Sequence, residues 1–138
     1  MEMISERDDL FGKAIYVYSR AQAIADGVLV DVSKMAVSAG FKIPLAVTDT
    51  LWGTFIEWTA KDTQQQTHQD TDGRLWDVLS MLRFAVAKAQ ETDCIFYKLN
   101  IIPRDGKTKK AKLTQLKAVI GAGDNGEPVI TIMLPNED

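Results

Sequence analysis

The chain holds one cysteine, Cys94, and one histidine, His68, among its 138 residues. A single cysteine excludes an intrachain disulfide, and with a single histidine it leaves no zinc site built from Cys and His ligands. No metal is therefore expected. No apolar run approaches the roughly 18 residues of a membrane-spanning helix, so no membrane association is expected. The N-terminal stretch carries Glu2, Glu6, Asp8 and Asp9 and lacks the apolar core of a secretory leader. Residues 1–12 read as a mobile leader. These absences together predict a cytoplasmic protein. Also missing are a P-loop, a dinucleotide-binding glycine pattern and a G-x-S-x-G nucleophile elbow, and no cofactor is implied.

What is present is an ordinary globular composition, 46% hydrophobic and 25% charged. The length predicts one globular domain over 1–138. A chain of this size buries roughly 68–70% of its unfolded surface and needs no staple. The net charge of −3 disfavours general nucleic-acid binding.

The hydrophobic pattern alternates between two periods. Ala14 to Tyr18 is short, apolar and β-prone, a strand. Ser19 with Gln22 three residues on forms a capping box that opens a short helix ending at Gly27. Val28, Val30 and Val32 share one face of a second strand, with Asp31 on the other. Ser33 caps another short helix, stopped at Gly40. Pro44 marks residues 43–47 as an edge strand or extended loop. Asp49 opens a helix over 50–59 whose stripe is Trp52, Phe55, Ile56 and Thr59. Trp58 lies off that stripe and reads as core or as an exposed anchor for a partner. Residues 61–71 are polar without an apolar period and read as a loop. A long helix spans about 73–90, capped by Asp72 or Thr71, with Leu75, Val78, Leu79, Leu82, Val86 and Ala89 on one face. Strands follow over 94–102, 111–120 and 129–134, with Asn125-Gly126 as a tight turn. Cys94 reads as a small core residue. The fold class predicted is α+β. It has a mixed or antiparallel sheet ending in a C-terminal three-stranded meander, with the long helix and short helices packed on it.

Two constellations carry candidate chemistry. Residues 68–77 place His68, Asp70, Asp72, Asp77, Arg74 and Trp76 between a polar loop and the first turns of the long helix. A helix N-terminus favours an anion, and Arg74 adds a planar fork for carboxylate or phosphate. His68 is a candidate proton carrier with Asp70 fixing its tautomer. The catalytic candidates are His68, Asp70, Arg74 and Asp77; their bland reading is helix capping and surface pairing.

The second constellation is basic. Arg104, Lys107, Lys109, Lys110, Lys112 and Lys117 face one acid, Asp105, a local +5 that leaves −8 for the rest of the net −3. Arg104, Lys107, Lys109, Lys110 and Lys112 are the candidates for binding a partner or anion. The bland reading is a solvated loop whose lysines guard an edge strand. No aromatic residue interleaves with them, as single-strand nucleic-acid binding usually requires.

The segment from Tyr16 through Val32, together with 68–79 and Gly126-Glu127-Pro128-Val129-Ile130-Thr131-Ile132-Met133-Leu134-Pro135, resembles an uncharacterised family of small bacterial proteins. Members are often carried on plasmids, phages and integrating elements. The resemblance implies a setting and no established activity. The stretch from Tyr18 to Leu29 also resembles the opening of some ADP-ribosyltransferases, but Tyr16, Tyr18 and Arg20 stand where those place a histidine. The leading expectation is a non-enzymatic interaction protein of a mobile genetic element. It acts on a host or element protein through the sheet edge, the basic 104–117 hairpin, or both. The alternative is a small enzyme or ligand-binding domain with an anion site around 68–77, doing acid–base or phosphoester chemistry. Nucleic-acid binding through 104–117 ranks third.

Overall fold

The computed structural model describes residues 18–89 and 91–138. The strand expected over 14–18 and the leader over 1–12 lie outside the described residues, apart from Tyr18, which is not in a strand. Helix α1 (Arg20–Ala25) opens with the expected box: Ser19 accepts from the Gln22 N–H, and the Gln22 side chain accepts from the Ser19 N–H. Strand β1 (Leu29–Asp31) and helix α2 (Ser33–Ser38) follow. Gly40, at φ +101°, turns the chain after α2.

Strand β2 (Leu45–Thr48) corrects the reading of an edge strand or loop. It is an interior strand, antiparallel to β1 and parallel to β5 (Pro128–Met133). Pro44 sits one residue before it, where its missing N–H costs no ladder bond. Its carbonyl still accepts from Ile130 N at 3.0 Å.

The helix expected over 50–59 is shorter and wider. Helix α3 (Asp49–Leu51) runs into a π-helical turn over Trp52–Ile56, and Glu57 leaves it in extended conformation. Thr59, expected on its stripe, instead starts helix α4 (Ala60–Gln65), which replaces the first half of the expected loop over 61–71 and leaves 66–70 as the connection. Thr59 and Asp62 form a reciprocal capping box that opens α4. The helix lacks an apolar period because Asp62 is the one residue of it that is buried.

Helix α5 (Thr71–Lys88) is the long helix, and its cap is Asp70 rather than Asp72 or Thr71. The Asp70 carboxylate accepts from Gly73 N at 2.6 Å. Leu75, Val78, Leu79 and Leu82 are buried in the main core, with Val86 packed at its margin. Each such side chain contributes about 1.5–3 kcal/mol when fully buried.

The C-terminal meander is β3 (Cys94–Ile101), β4 (Lys112–Ala122) and β5, each antiparallel to the next. The sheet order is β1-β2-β5-β4-β3, a five-stranded mixed sheet. The alternation in β3 turns Ile95, Tyr97, Leu99 and Ile101 inward. Helix α5 covers that face; Tyr97 Oη donates to Val78 O at 3.1 Å, and burial pushes its pKa up. Cys94 falls on the opposite phase and is exposed, which corrects its reading as a core residue. On the other face, Arg20 fastens α1 to β5 by donating to Thr131 Oγ1 at 2.8 Å and to Ile130 O at 2.9 Å. Asp124, in the β4–β5 turn, accepts from Arg20 N at 2.7 Å and Ala21 N at 3.0 Å. These bonds lower the Asp124 pKa. The turn itself uses Gly126 at φ +80°.

Candidate functional site

The first constellation does not gather into one place. Arg74 turns inward and is 2% exposed. Its Nε donates to Phe55 O at 2.9 Å, Nη1 to Gln69 Oε1 at 2.6 Å and Nη2 to Ile102 O at 2.9 Å. Its guanidinium carbon lies 4.3 Å from the Trp58 ring centre, a cation–π contact. Burial lowers the Arg74 pKa to about 10, opposed by the charge of Asp62, so it stays cationic at neutral pH. Every arm of the fork is spent on an internal acceptor. Arg74 ties the π-helical turn, the α4–α5 connection and the end of β3 to the first turn of α5.

The other three candidates point elsewhere. His68 is exposed in the α4–α5 connection, and Asp70 is the helix cap. Asp77 is exposed and lines a groove of about 410 Å³ beside β3, with Ser80, Met81, Lys98, Asn100 and Leu113. Trp58 is buried, and its indole N–H is shared between Thr63 Oγ1 at 3.1 Å and Thr67 O at 3.3 Å. It is core, not an anchor. Among the described residues, no group of His, Cys, Asp and Glu side chains is placed to hold a metal ion.

The second constellation is built on a braced loop. Gln66, 4% exposed, donates from Nε2 to Pro103 O and Thr108 O, and its Oε1 accepts from Gly106 N at 3.0 Å. One buried amide thus holds both ends and the tip of residues 103–108. Asp105 closes the tip from within, accepting from Lys107 N at 3.0 Å, Thr108 N at 2.7 Å and the Thr108 hydroxyl. The Thr108 bonds, then Lys107, pull the Asp105 carboxyl down to about 2. Gly106 takes φ +81°, a conformation that strains any other residue.

Arg104 belongs to the brace and not to the free charges. Its Nε pairs with Asp62 Oδ2 at 2.9 Å, and its Nη1 meets Glu57 Oε1 at 3.2 Å and Gly53 O at 2.9 Å. Asp62 is buried, and its pKa is lowered first by the Thr59 N–H and then by the Thr59 hydroxyl and Arg104, against the cost of burial. Lys107, Lys109, Lys110 and Lys112 are exposed, and none pairs with an acid among the described residues. Lys117 is tied down, donating to Glu137 O on the sheet's other face.

The residues that sequence reasoning missed are Gln66 and Asp62, while the core reading of Trp58 holds. The spacing Thr59-x-x-Asp62 was a legible capping signal. Nothing in the glutamine run Gln64-Gln65-Gln66 marks the third as the buried one.

The architecture is an α+β domain with a five-stranded mixed sheet and one long helix on it. The chain belongs to a family of unknown function, DUF6573, whose model matches residues 9–138. No curated protein and no solved structure matches the chain.

Proposed function

We propose that this protein is a non-enzymatic interaction module that binds an acidic surface of a partner protein through the 104–112 loop. The observation that carries the reading is the braced loop. Gln66 and Asp105 hold the backbone of residues 103–108 and Arg104 is anchored on Asp62, Glu57 and Gly53 O, while Lys107, Lys109, Lys110 and Lys112, on this segment and just past it, stand exposed with no salt bridge among the described residues. A loop held in one shape loses little entropy on binding, and its unpaired cations steer an acidic partner. The resemblance to proteins of plasmids, phages and integrating elements supports a bacterial accessory gene of a mobile element, acting on a host or element protein in the cytoplasm. The acid–base reading around 68–77 finds no such support, because Arg74 is buried with each of its three nitrogens bonded to an internal oxygen, while His68 is exposed.

The test uses the full chain and a Lys107→Glu, Lys109→Glu, Lys110→Glu variant as paired baits against host lysate. Their melting curves are compared first, since exposed lysines change stability little. A protein retained by the wild type and lost by the variant supports the reading, provided nuclease treatment leaves the capture intact. Equal capture by both baits at physiological salt overturns it. Capture abolished by nuclease, with a steep fall of affinity with salt, assigns the loop to nucleic acid instead.

A further inference from the structure

We infer that the free edge of β3 is a self-association surface, joining two copies of this chain through antiparallel β3–β3 pairing into one continuous sheet. The inference is independent of the lysine loop's partner.

The ladder settles which backbone groups are free. Ile120 N donates to Asp93 O at 2.8 Å, so residues 93 and 120 form a hydrogen-bonded pair. The register pairs Cys94 with Val119 and Ile101 with Lys112, so the odd-numbered residues of β3 bond to β4. The even-numbered residues turn their N–H and C=O groups to the outer edge. At Cys94 both groups are taken by the Thr92 hydroxyl, which accepts from Cys94 N at 3.3 Å and donates to Cys94 O at 3.2 Å. Among the described residues, nothing bonds the outward groups of Phe96, Lys98 and Asn100. Among the described strands β3 ends the sheet order, and it is a long edge. Lys98 is the one charge on it that guards against pairing.

Charge along the edge favours a second copy. Glu91 and Asp93 lie at its N-terminal end, and Lys112 lies beside Ile101 at its C-terminal end. An antiparallel two-fold brings each acidic end against the partner's basic end. Centred on Tyr97, it sets Phe96 opposite Lys98 of the other copy and avoids facing Lys98 with itself. The lysine stem then lies against the Phe96 ring, which is 53% exposed in the single chain. Asp93 comes opposite the partner's Ile101, with the partner's Lys112 next to it on the same face.

The groove beside β3 is lined by Met81, Leu99 and Leu113, and Leu113 is 65% exposed. It is part apolar and part polar, since Asp77, Ser80, Lys98 and Asn100 line it too. A two-fold perpendicular to the sheet keeps both α5 helices on one face, so each covers the other's groove.

The experiment is sedimentation of the full chain over a concentration series, with Asp93→Lys, Lys112→Glu and the double exchange beside the wild type. The expected result is a wild-type dimer, each single reversal weakening it by about fivefold, and recovery in the double exchange. Amide exchange at Phe96 and Lys98 in the wild type should slow as concentration rises, a readout that needs no variant. A wild type that stays monomeric throughout overturns the inference. So does a dimer indifferent to both single reversals, or a double exchange that recovers nothing.

Discussion

The Arg74 guanidinium stacks 4.3 Å from the centre of the Trp58 ring, with both side chains buried. The stack sits where the π-helical turn, the α4–α5 connection and the end of β3 meet. A charge is tolerated there because three acceptors and an aromatic face replace its water.

Arg74→Ala should therefore be among the most damaging single changes, leaving the Phe55 and Ile102 carbonyls without their donor and emptying the space over Trp58. A loss of about 3–5 kcal/mol is expected in urea unfolding. Arg74→Lys should recover part of it, since an ammonium cannot serve three divergent acceptors and stack as well. An alanine variant as stable as wild type would show that the contacts are incidental.

The glutamine run gives a sharper contrast. Gln66→Ala strips partners from Pro103 O, Thr108 O and Gly106 N, and should cost about 1–3 kcal/mol. Gln64→Ala, at an exposed position of α4, should stay within about 0.5 kcal/mol of wild type. Unfolding midpoints of the two variants, measured side by side, check the assignment of the brace to the third glutamine.

Acid should loosen the same region. Asp105 and Asp62 both have folded pKa values below those of the unfolded chain. Their stabilising contribution is fully present above the unfolded value of about 4 and is lost as pH falls through the folded values. For Asp105 that places the loss between about 4 and about 2. Stability contributed by these groups should be flat from pH 7 to 5. Asp105→Asn should make the decline below pH 4 shallower. An unchanged pH profile in that variant would remove the internal closure of the loop tip from the account.

Much of the architecture was legible because it rests on local signals. The Ser19–Gln22 box, the 3–4 spacing of Leu75, Val78, Leu79 and Leu82, and the alternation from Ile95 to Ile101 each act within a few residues. Asn125-Gly126 marked the β4–β5 turn in the same way. What misled was also local. Pro44 suggested an edge because proline cannot donate, yet it stands just outside the strand it precedes. The polar run after Lys61 suggested a loop, although a helix that buries one aspartate has no apolar stripe to show. Cys94 was placed in the core on residue type, and the phase of β3 put it outside.

The sequence by itself determined the periods of α5 and β3, the Ser19–Gln22 cap and the basic cluster after Pro103, since these depend on neighbours along the chain. Only the tertiary structure decided that β2 is interior, that Arg74 turns inward onto Phe55, Gln69 and Ile102 oxygens, that Gln66 braces the lysine loop and that β3 ends the sheet among the described strands. Each of those depends on which distant backbone groups are brought within hydrogen-bonding range, and that is settled by packing.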